Sequence, residues 1–305
     1  MPIRSSKIAW IVCILTACSS LKVFAIARHP EAISPESAYL QYSENFPYVG
    51  GMFHAGADGE FNSFSSGVLI DEHWVLTSGH GVLENENCPS CIEKEFLFVL
   101  GPTTYMDVLE YKTTTHVYLH PGYRRPEDGV DLALLYFEEA FTSVTPATLS
   151  TYSLQAGDEV SIVGFGLSGL HFGNPDPMSN GIRRGSINVV GSTLRYDGYA
   201  SYDWASFREA DFRPLGGQLI PGDSGGGWFV DNGNGHELVA ITSGGSGWIA
   251  YGQESTGRMV KPSLNWIADT ISSIAVPEPP SVAIILAALP PLFAPRRIRF
   301  FHGQT

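Results

Sequence analysis

Short apolar runs separated by turn-forming residues constrain the fold of this chain more than any other feature of its sequence. Most runs are four to seven residues long, with Gly, Pro, Asn or Asp at their ends. Runs of that length and spacing are typical of strands in a β-sandwich or β-barrel. The sequence therefore predicts strands in SGVLID, HWVLTSG, FLFVLG, THVYLH, DLALLYF, EVSIVGFG, GSINVVGS, GWFV and ELVAITSGG.

Two other local patterns complete this prediction. The segment VDNGNGHELV indicates a β-hairpin with its turn at Asn232–Gly235, because Asn and Gly accept positive φ. Its Asp and Asn spacing also suggests calcium, but the loop lacks the further acidic ligands that calcium requires. A helix is predicted only near the C-terminus, in KPSLNWIADTISSI, where Leu264, Ile267 and Ile271 share one face. Residues 26–45 read as a polar leader.

The N-terminus has the layout of a secretory signal. Arg4 and Lys7 precede the apolar run IAWIVCILTAC, and the segment VFA ends at Ala25 as the best cleavage point. This predicts a signal peptide over residues 1–25, which signal peptidase removes. The segment LTAC offers an alternative, because it resembles a bacterial lipobox in which Cys18 would be lipidated.

The C-terminus combines three features in a fixed order. The triplet Pro277–Pro279 precedes an apolar run, Ser281–Ala294, and the basic segment Arg296–Arg299 follows. The apolar run is short for a bilayer span, which takes about 20 residues. The order resembles the PEP-CTERM sorting tail, which an exosortase recognises and removes; a plain membrane anchor is the alternative. Residues 276–305 thus predict transient membrane association and an exported protein, either secreted or held in the cell envelope or extracellular matrix.

Charge and cysteine content exclude some functions. A formal net charge of −13 argues against nucleic acid as a partner, since phosphates are bound by clustered Lys and Arg. Cys88 and Cys91 form a single CPSC motif, which is only half of a closed zinc site. A local disulfide is the first interpretation, and free thiols are the second. His116 and His120 flank a strand with no further ligand nearby, so surface or structural roles are expected. No metal ion or cofactor is predicted.

Three segments contain the residue types that nucleophilic catalysis needs. Ser224 lies in the glycine-rich segment QLIPGDSGGGWF, His80 follows a strand in WVLTSGHGV, and Asp131 precedes a strand in EDGVDLALLYF. A hydroxyl attacks a carbonyl well only when a base takes its proton and a third group orients that base. Each residue alone fits an ordinary turn or cap, but together they predict a catalytic triad.

These motifs resemble those of the chymotrypsin/trypsin-like serine protease family. The resemblance rests on VLTSGH, DLALL and GDSGG, supported by SSGVLI, HPGY and LNWI, and it extends from about Tyr48 to Ile274. It implies an all-β fold of two packed six-stranded antiparallel barrels with a C-terminal α-helix. The first barrel would span residues 46–145, and the second barrel with the helix would span residues 146–275.

The resemblance also implies a mechanism and a substrate class. Ser224 would attack the scissile carbonyl of a polypeptide, His80 would take the proton, and Asp131 would orient the imidazole. The backbone N–H groups of Gly222 and Ser224 would form the oxyanion hole. A secreted serine endopeptidase is therefore expected; the alternative is a catalytically weak binding module of the same fold in the extracellular matrix.

The substrate pocket can be bounded from the same resemblance. Gln218 occupies the position of the pocket base, where a carboxylate would be needed to pair an Arg or Lys side chain. Cleavage after Arg or Lys is therefore not expected, and a neutral side chain is. Ser243, Gly244 and Gly245 correspond to the edge and wall that hold the substrate.

The chain also departs from the family pattern. Gly81 and Ser66 stand where the family has two bridged cysteines, so packing must hold the histidine turn. The segment YVGG, Tyr48–Gly51, resembles the new N-terminus made by zymogen cleavage, whose amine pairs with the aspartate before the nucleophile, here Asp223. No Arg or Lys precedes Tyr48, so Asp223 is expected to have another partner.

Overall fold

The computed structural model describes residues 26–28, 34–55, 61–93, 95–127, 129–170, 181–196, 202–208, 214–245 and 254–274. The predicted signal peptide, with the lipobox residue Cys18, and the predicted sorting tail lie outside these ranges. None of the helices in the described ranges is long and apolar enough to cross a membrane.

The described residues are mainly β-strand, with two α-helices. In chain order the elements are β1 (Ile26–Arg28), α1 (Glu36–Ser43), β2 (Val49–Ala55), β3 (Phe61–Asp71), β4 (Trp74–Thr77), β5 (Phe96–Leu100), β6 (Glu110–Thr113), β7 (His116–Leu119), β8 (Ala133–Tyr136), β9 (Thr148–Leu149), β10 (Glu159–Gly164), β11 (Ser168–Leu170), β12 (Arg184–Val189), β13 (Ser192–Tyr196), β14 (Tyr202–Arg208), β15 (Gly217–Gln218), β16 (Gly227–Asp231), β17 (His236–Gly245), β18 (Glu254–Met259) and α2 (Leu264–Ser273). Each predicted strand segment overlaps one of these strands.

Two antiparallel sheets make up most of the molecule. The first contains seven strands in the order β6-β5-β2-β3-β4-β8-β7, and the second has the path β12-β10-β16-β17-β18-β14-β13, with β9 added beside β17 as an eighth, parallel strand. The predicted hairpin joins β16 to β17 through Asn232–Gly235. Pairing among the described strands closes neither sheet into a ring. The all-β class with a C-terminal helix is confirmed, whereas two closed six-stranded barrels are not.

A shared apolar cluster packs the two sheets together. Leu76 and Leu134 reach it from the first sheet, and Phe229 and Ile241 reach it from the second. Ile267 of α2 is buried in the same cluster, as the predicted apolar face of that helix requires. The junction between the sheets is therefore a well-packed region in which residues from both halves of the chain can be held in fixed positions.

The segment predicted as a polar leader contains a helix and a strand. Helix α1 has its apolar residues on no single stripe, which is why the sequence pattern did not indicate it, and tertiary contacts hold it. Tyr39 is fully buried, and its hydroxyl donates to the carbonyl of Gly216 at 2.9 Å. Glu36 pairs with Arg184 of β12 at 3.0 Å. The leader is thus packed against the second sheet.

Strand β1 forms a small third sheet between two segments of the second half of the chain. It pairs in parallel with β11, where Ile26 lies opposite Ser168. It pairs antiparallel with β15, where Ala27 lies opposite Gln218. The first described residues of the chain therefore lie beside the segment that leads to Ser224.

Candidate active site

Three polar residues lie at turns beside strand ends where the two large sheets meet. Strand β4 is followed by Ser78 and Gly79, and His80 is the first residue of the 3-10 turn that comes next. Asp131 stands two residues before β8, which pairs with β4. Ser224 lies in the turn between β15 and β16. Sheet pairing fixes His80 relative to Asp131, and packing of the two sheets brings Ser224 to them.

These three side chains form one hydrogen-bonded line. His80 Nδ1 lies 2.8 Å from Asp131 Oδ2, and His80 Nε2 lies 2.9 Å from Ser224 Oγ. The backbone N–H of His80 also donates to Asp131 Oδ1 at 2.7 Å. Asp131 holds both the ring and the backbone of His80, which keeps Nε2 directed at Ser224. An imidazole held in this way can take a proton from the hydroxyl beside it.

The electrostatic environment favours a charged imidazole next to a carboxylate. Asp131 is fully buried, and burial alone would raise its pKa, but the charge of His80 and the hydrogen bonds from His80 and Ser243 lower the pKa below the ordinary value. Burial likewise opposes the imidazolium, yet the charge and hydrogen bond of Asp131 raise the pKa of His80 above its ordinary value. His80 is therefore a stronger base than a free histidine.

The turn around Ser224 depends on two glycines with positive φ. Gly222 has φ +95° and Gly225 has φ +82°. A Cβ at Gly225 would lie 2.1 Å from the carbonyl oxygen of Ser66, so only glycine fits there. Among the described residues, no hydrogen bond engages the backbone N–H groups of Gly222 and Ser224. Two N–H groups without partners beside a nucleophile can receive an oxyanion.

Ser66 is a contact of this turn that the sequence did not reveal. Its N–H donates to the carbonyl of Ser224 at 2.7 Å, and its hydroxyl donates to the carbonyl of Gly222 at 3.0 Å. The same hydroxyl accepts from the N–H of Phe165 at 3.0 Å. The sequence comparison with the family placed Ser66 opposite Gly81, and this was wrong: a Cβ at Gly81 would lie 3.7 Å from Oγ of Ser65, so Ser65 faces the histidine turn and Ser66 the nucleophile turn.

Asp223 has backbone partners rather than a charged one. Its carboxylate accepts from the N–H of Gly166 at 2.9 Å and from the N–H of Ile220 at 3.1 Å. Burial raises the pKa of Asp223 to about 7, despite these donors and the charge of Arg184. Among the described residues, no Lys, Arg or His forms an ion pair with this carboxylate. It is therefore a buried acid whose negative charge is only partly compensated.

The segment YVGG, which resembles a cleaved N-terminus in sequence, lies within the first sheet. Val49, Gly50 and Gly51 are interior residues of the first sheet, and Gly51 pairs with Ser66 on one side and with Val99 on the other. Strand pairing on both sides makes this segment part of the first sheet. The segment is the start of strand β2. Its local sequence fits both a strand and a processed terminus, so sequence alone could not distinguish the two.

The residues predicted to line the substrate pocket belong to strands β15 and β17. Gln218 is buried in β15, and Leu219 next to it donates its N–H to the Ser255 hydroxyl at 3.3 Å. Gly244 and Gly245 belong to β17 and pair with Thr256 and Ser255 of β18. Ser255 thus pairs with Gly245 and bonds to Leu219, the residue that follows Gln218. Ser243, the first residue of the predicted edge, directs its hydroxyl to Asp131.

The two cysteines outside the predicted signal form a disulfide close to the histidine turn. Cys88 and Cys91 are bonded to each other, and Glu84 donates its N–H to the carbonyl of Cys91 at 3.0 Å. In the same loop the carbonyl of Glu86 accepts from the Tyr123 hydroxyl at 2.9 Å. The loop after His80 is thus closed locally, without the family's longer bridge.

His116 and His120 have surface and packing positions. His116 is exposed at the start of β7, and the ring of His120 packs edge-on against Trp266 at 4.5 Å between ring centroids. Burial, together with the charge of Arg258, lowers the pKa of His120 to about 4. No group of three or more His, Cys, Asp or Glu residues in the described part of the chain could hold a metal ion.

Comparison with known proteins places this chain in a family. The family model described as Trypsin matches residues 38–267. Trypsin 5G1 of Aedes aegypti is 25% identical over 213 residues, which cover 68% of this chain and 74% of that protein. Coagulation factor XI of Bos taurus is 24% identical over 210 residues, which cover 67% of this chain and 32% of that protein.

Solved structures extend the likeness to the fold. A structure described as HL collagenase aligns with a TM-score of 0.58 at 19% identity, over 75% of this chain and 95% of that chain. The chymotrypsin-like β-rich arrangement with a C-terminal helix is confirmed by this likeness, although the identity is too low to carry more than the fold.

Proposed function

This chain belongs to the trypsin family and contains a trypsin-like serine protease domain, and we propose that it is a secreted serine endopeptidase. The observation on which the proposal rests is the hydrogen-bonded line from Asp131 through His80 to Ser224, with distances of 2.8 and 2.9 Å along it. An ordinary turn serine needs no such arrangement. The chemical use of this arrangement is to remove the proton from the serine hydroxyl as the oxygen attacks a carbonyl.

The proposed reaction begins with attack of Ser224 Oγ on a peptide carbonyl carbon. The hydroxyl proton moves to His80 Nε2, and the carbonyl electron pair moves to oxygen, which becomes an oxyanion. When the C–N bond breaks, the proton on Nε2 passes to the leaving amine and the acyl group stays on Ser224. Water then attacks the ester, His80 takes its proton, and Ser224 regains it as the acid leaves. Asp131 stabilises the imidazolium in both halves.

The N–H groups of Gly222 and Ser224 are the proposed oxyanion donors. They come from the same tight turn as the nucleophile, so the oxygen of a carbonyl attacked by Ser224 lies within their reach. Losing one donor of this kind typically costs about 2.7–4 kcal/mol of transition-state stabilisation. The positive φ of Gly222 supports this assignment, because it turns the backbone into a conformation that other residues rarely adopt.

We assign Gln218, Ser243, Gly244 and Gly245 to substrate binding, with Ser255 beside them. Gln218 at the base is buried and uncharged. An Arg or Lys side chain would enter such a pocket without a counter-charge and lose its hydration, which is costly. The preferred residue on the acyl side of the cleaved bond is therefore neutral.

Export and processing complete the proposal. Signal peptidase would cut after Ala25, and an exosortase would act on the tail at residues 276–305, after brief membrane association. The product would be secreted or retained in the cell envelope or matrix. A lipidated Cys18 is the alternative fate of the N-terminus.

Cleavage after Ala25 gives Asp223 a charged partner. The family resemblance implies that a new N-terminal amine pairs with this aspartate, and the position of β1 supports Ile26 as that terminus. Ile26 lies opposite Ser168, two residues beyond Gly166, and Ala27 lies opposite Gln218, two residues before Ile220. Gly166 and Ile220 are the two N–H donors to Asp223. Removal of the signal peptide would thus also supply Asp223 with a positively charged partner, the amine of Ile26.

The experiment that tests the function uses secreted protein comprising residues 26–276. A peptide library and a fluorophosphonate reagent are presented to this protein and to a Ser224→Ala variant. We expect cleavage after neutral residues and covalent labelling, both lost in the variant. Equal cleavage by the two proteins would indicate a contaminating protease, and absence of both activities from the native protein would favour a binding module on the same fold.

A further inference from the structure

The Ser66 hydroxyl connects the first sheet to the turn that contains the nucleophile. Ser66 lies on β3, is completely buried, and pairs with Gly51 in the sheet. A serine hydroxyl has one proton to donate and can accept in addition. Here the proton goes to the carbonyl of Gly222, and an oxygen lone pair accepts the N–H of Phe165. The hydroxyl is therefore fully engaged at a position with no water-facing alternative.

Two peptide groups in the turn that contains Ser224 are each held by hydrogen bonds on both their oxygen and their N–H. In the peptide between Gly222 and Asp223, Ser66 bonds to the oxygen, and the N–H donates to Ile220 at 3.0 Å. In the peptide between Ser224 and Gly225, the N–H of Ser66 bonds to the oxygen at 2.7 Å, and the N–H donates to Thr242 at 2.9 Å. Ser66 supplies one of the two restraints on each peptide.

Gly222 is the place in this turn where such a restraint has most effect. Glycine at φ +95° has no Cβ to favour one conformation over another, so its flanking peptide groups can rotate at low steric cost. The Gly222 N–H belongs to the Pro221–Gly222 peptide, whose oxygen accepts from the N–H of Leu167 at 2.9 Å. The Ser66 hydroxyl holds the carbonyl side of Gly222, so the residue is fixed on both sides while its N–H stays free for a substrate oxyanion.

We propose that Ser66 is a positioning residue of the oxyanion hole in this chain: its hydroxyl fixes the carbonyl side of Gly222, so that the Gly222 N–H stays directed at the transition-state oxyanion. The inference rests on the proposed peptidase function and deepens it. The Ser66 hydroxyl restrains the nucleophile turn, whereas the neighbouring Ser65 faces the histidine turn, where a Cβ at Gly81 would lie 3.7 Å from its Oγ.

The test compares Ser66→Ala with Ser186→Ala in the secreted protein. Ser186 is also a buried strand serine, and its hydroxyl has no hydrogen-bond partner among the described residues, so it controls for loss of a buried hydroxyl. We measure kcat and KM on the best peptide of the library, and inhibition by a peptide boronate of the same sequence, whose tetrahedral adduct places an oxygen in the hole.

We expect Ser66→Ala to lower kcat about tenfold and to weaken boronate inhibition by a similar factor, as partial loss of an oxyanion donor would, with KM within twofold. Ser186→Ala should leave all three values within twofold. If Ser66→Ala does not fold, Ser66→Cys serves instead, because its weaker S–H donor fills the same place, and a smaller loss in the same two values is expected.

The proposal is overturned if the Ser66 variant keeps kcat and boronate inhibition within twofold of the native protein, or if only KM changes. A native protein that neither cleaves peptides nor reacts with fluorophosphonate would instead overturn the peptidase function itself. Backbone hydrogen exchange then decides the positioning role without activity: exchange at Asp223 and Gly225 should speed up in Ser66→Ala and stay unchanged in Ser186→Ala.

Discussion

Ser243 donates a hydrogen bond to the carboxylate oxygen of Asp131, Oδ2, that also faces the imidazole of His80. Asp131 is fully buried and accepts a further bond from the backbone of His80, so each of its oxygens has a donor. A buried carboxylate can stay ionised only when such donors replace its lost hydration. Ser243 therefore helps to keep Asp131 ionised, in addition to its place at the predicted substrate edge.

Ser243→Ala should slow catalysis and destabilise the fold. A hydrogen bond to a charged group contributes about 1.5–3 kcal/mol, so we expect the free energy of unfolding to fall by ~2 kcal/mol and kcat to fall several-fold. Ser150→Ala is the matched control, because that hydroxyl donates to the carboxylate of Glu237 at 2.7 Å, away from the triad. Urea unfolding and peptide kinetics check both values. An unchanged kcat in Ser243→Ala would contradict the assigned role.

The acid limb of the pH–rate profile should lie above the ordinary histidine pKa. Catalysis requires neutral His80, and the Asp131 carboxylate raises the pKa of this imidazole above 6.5 despite its burial. Activity should therefore rise with pH and be half-maximal above pH 6.5. Glu86 adds a smaller effect of the same sign. Glu86→Gln should move the limb slightly toward lower pH with little change in maximal rate, and kcat/KM measured from pH 5 to 9 shows whether it does.

Asp131→Asn removes the negative charge that raises the pKa of His80. The neutral amide cannot stabilise the imidazolium, and the expected loss of kcat is about 10⁴-fold, as in the serine-protease template. Labelling by fluorophosphonate should slow in parallel, while binding of a reversible peptide product should change little. A variant that kept more than a tenth of the native rate would show that Asp131 does not act through His80.

The sequence was informative where the chemistry depends on local segments. His80, Asp131 and Ser224 each lie in a turn whose strand can be identified from neighbouring residues, so their meeting could be anticipated. The bonds made by Ser66 and by the Ser243 hydroxyl could not, because each joins residues more than 100 positions apart or links opposite sheets. Local residues do not encode such contacts.

In the N-terminal segment, secondary structure also could not be predicted from local sequence. Helix α1 lacks an apolar stripe, and its stability comes from the burial of Tyr39 and the pairing of Glu36 with Arg184. Tyr48–Gly51 resembled a processed terminus because a Gly pair after two apolar residues fits both a terminus and a strand. Only pairing with Val99 and Ser66 on its two sides distinguishes them.

Stability should depend on pH through Asp223 until the signal is removed. The pKa of Asp223 is raised from 3.8 to about 7 in the folded chain. Between these values the folded state holds a proton that the unfolded state releases, so the free energy of unfolding falls as pH rises from 4 to 7. Protein starting at Ala25 should show this fall, and protein starting at Ile26 should not, because its amine compensates the charge.

Melting curves at pH 4, 5.5 and 7 compare these two forms with their Asp223→Asn variants. The substitution should abolish the pH-dependent difference between the Ala25 and Ile26 forms. Identical pH profiles for the two unsubstituted forms would exclude Ile26 as the partner of Asp223.

Gln218→Asp should redirect cleavage toward basic residues. Gln218 is buried beside the turn of Ser224, and a carboxylate there would pair with an Arg or Lys side chain that the neutral amide leaves without a counter-charge. The ratio of kcat/KM for an Arg substrate to that for its neutral counterpart should rise by at least about tenfold, a value of 1.4 kcal/mol. Without substrate, the Gln218→Asp variant should be less stable than the native protein, because its new buried charge is uncompensated until substrate binds. Gln218→Asn is the control, since it has the shape of Asp without the charge and should leave the ratio unchanged. Equal ratios for the Asp and Asn variants would mean that residue 218 does not contact the substrate side chain.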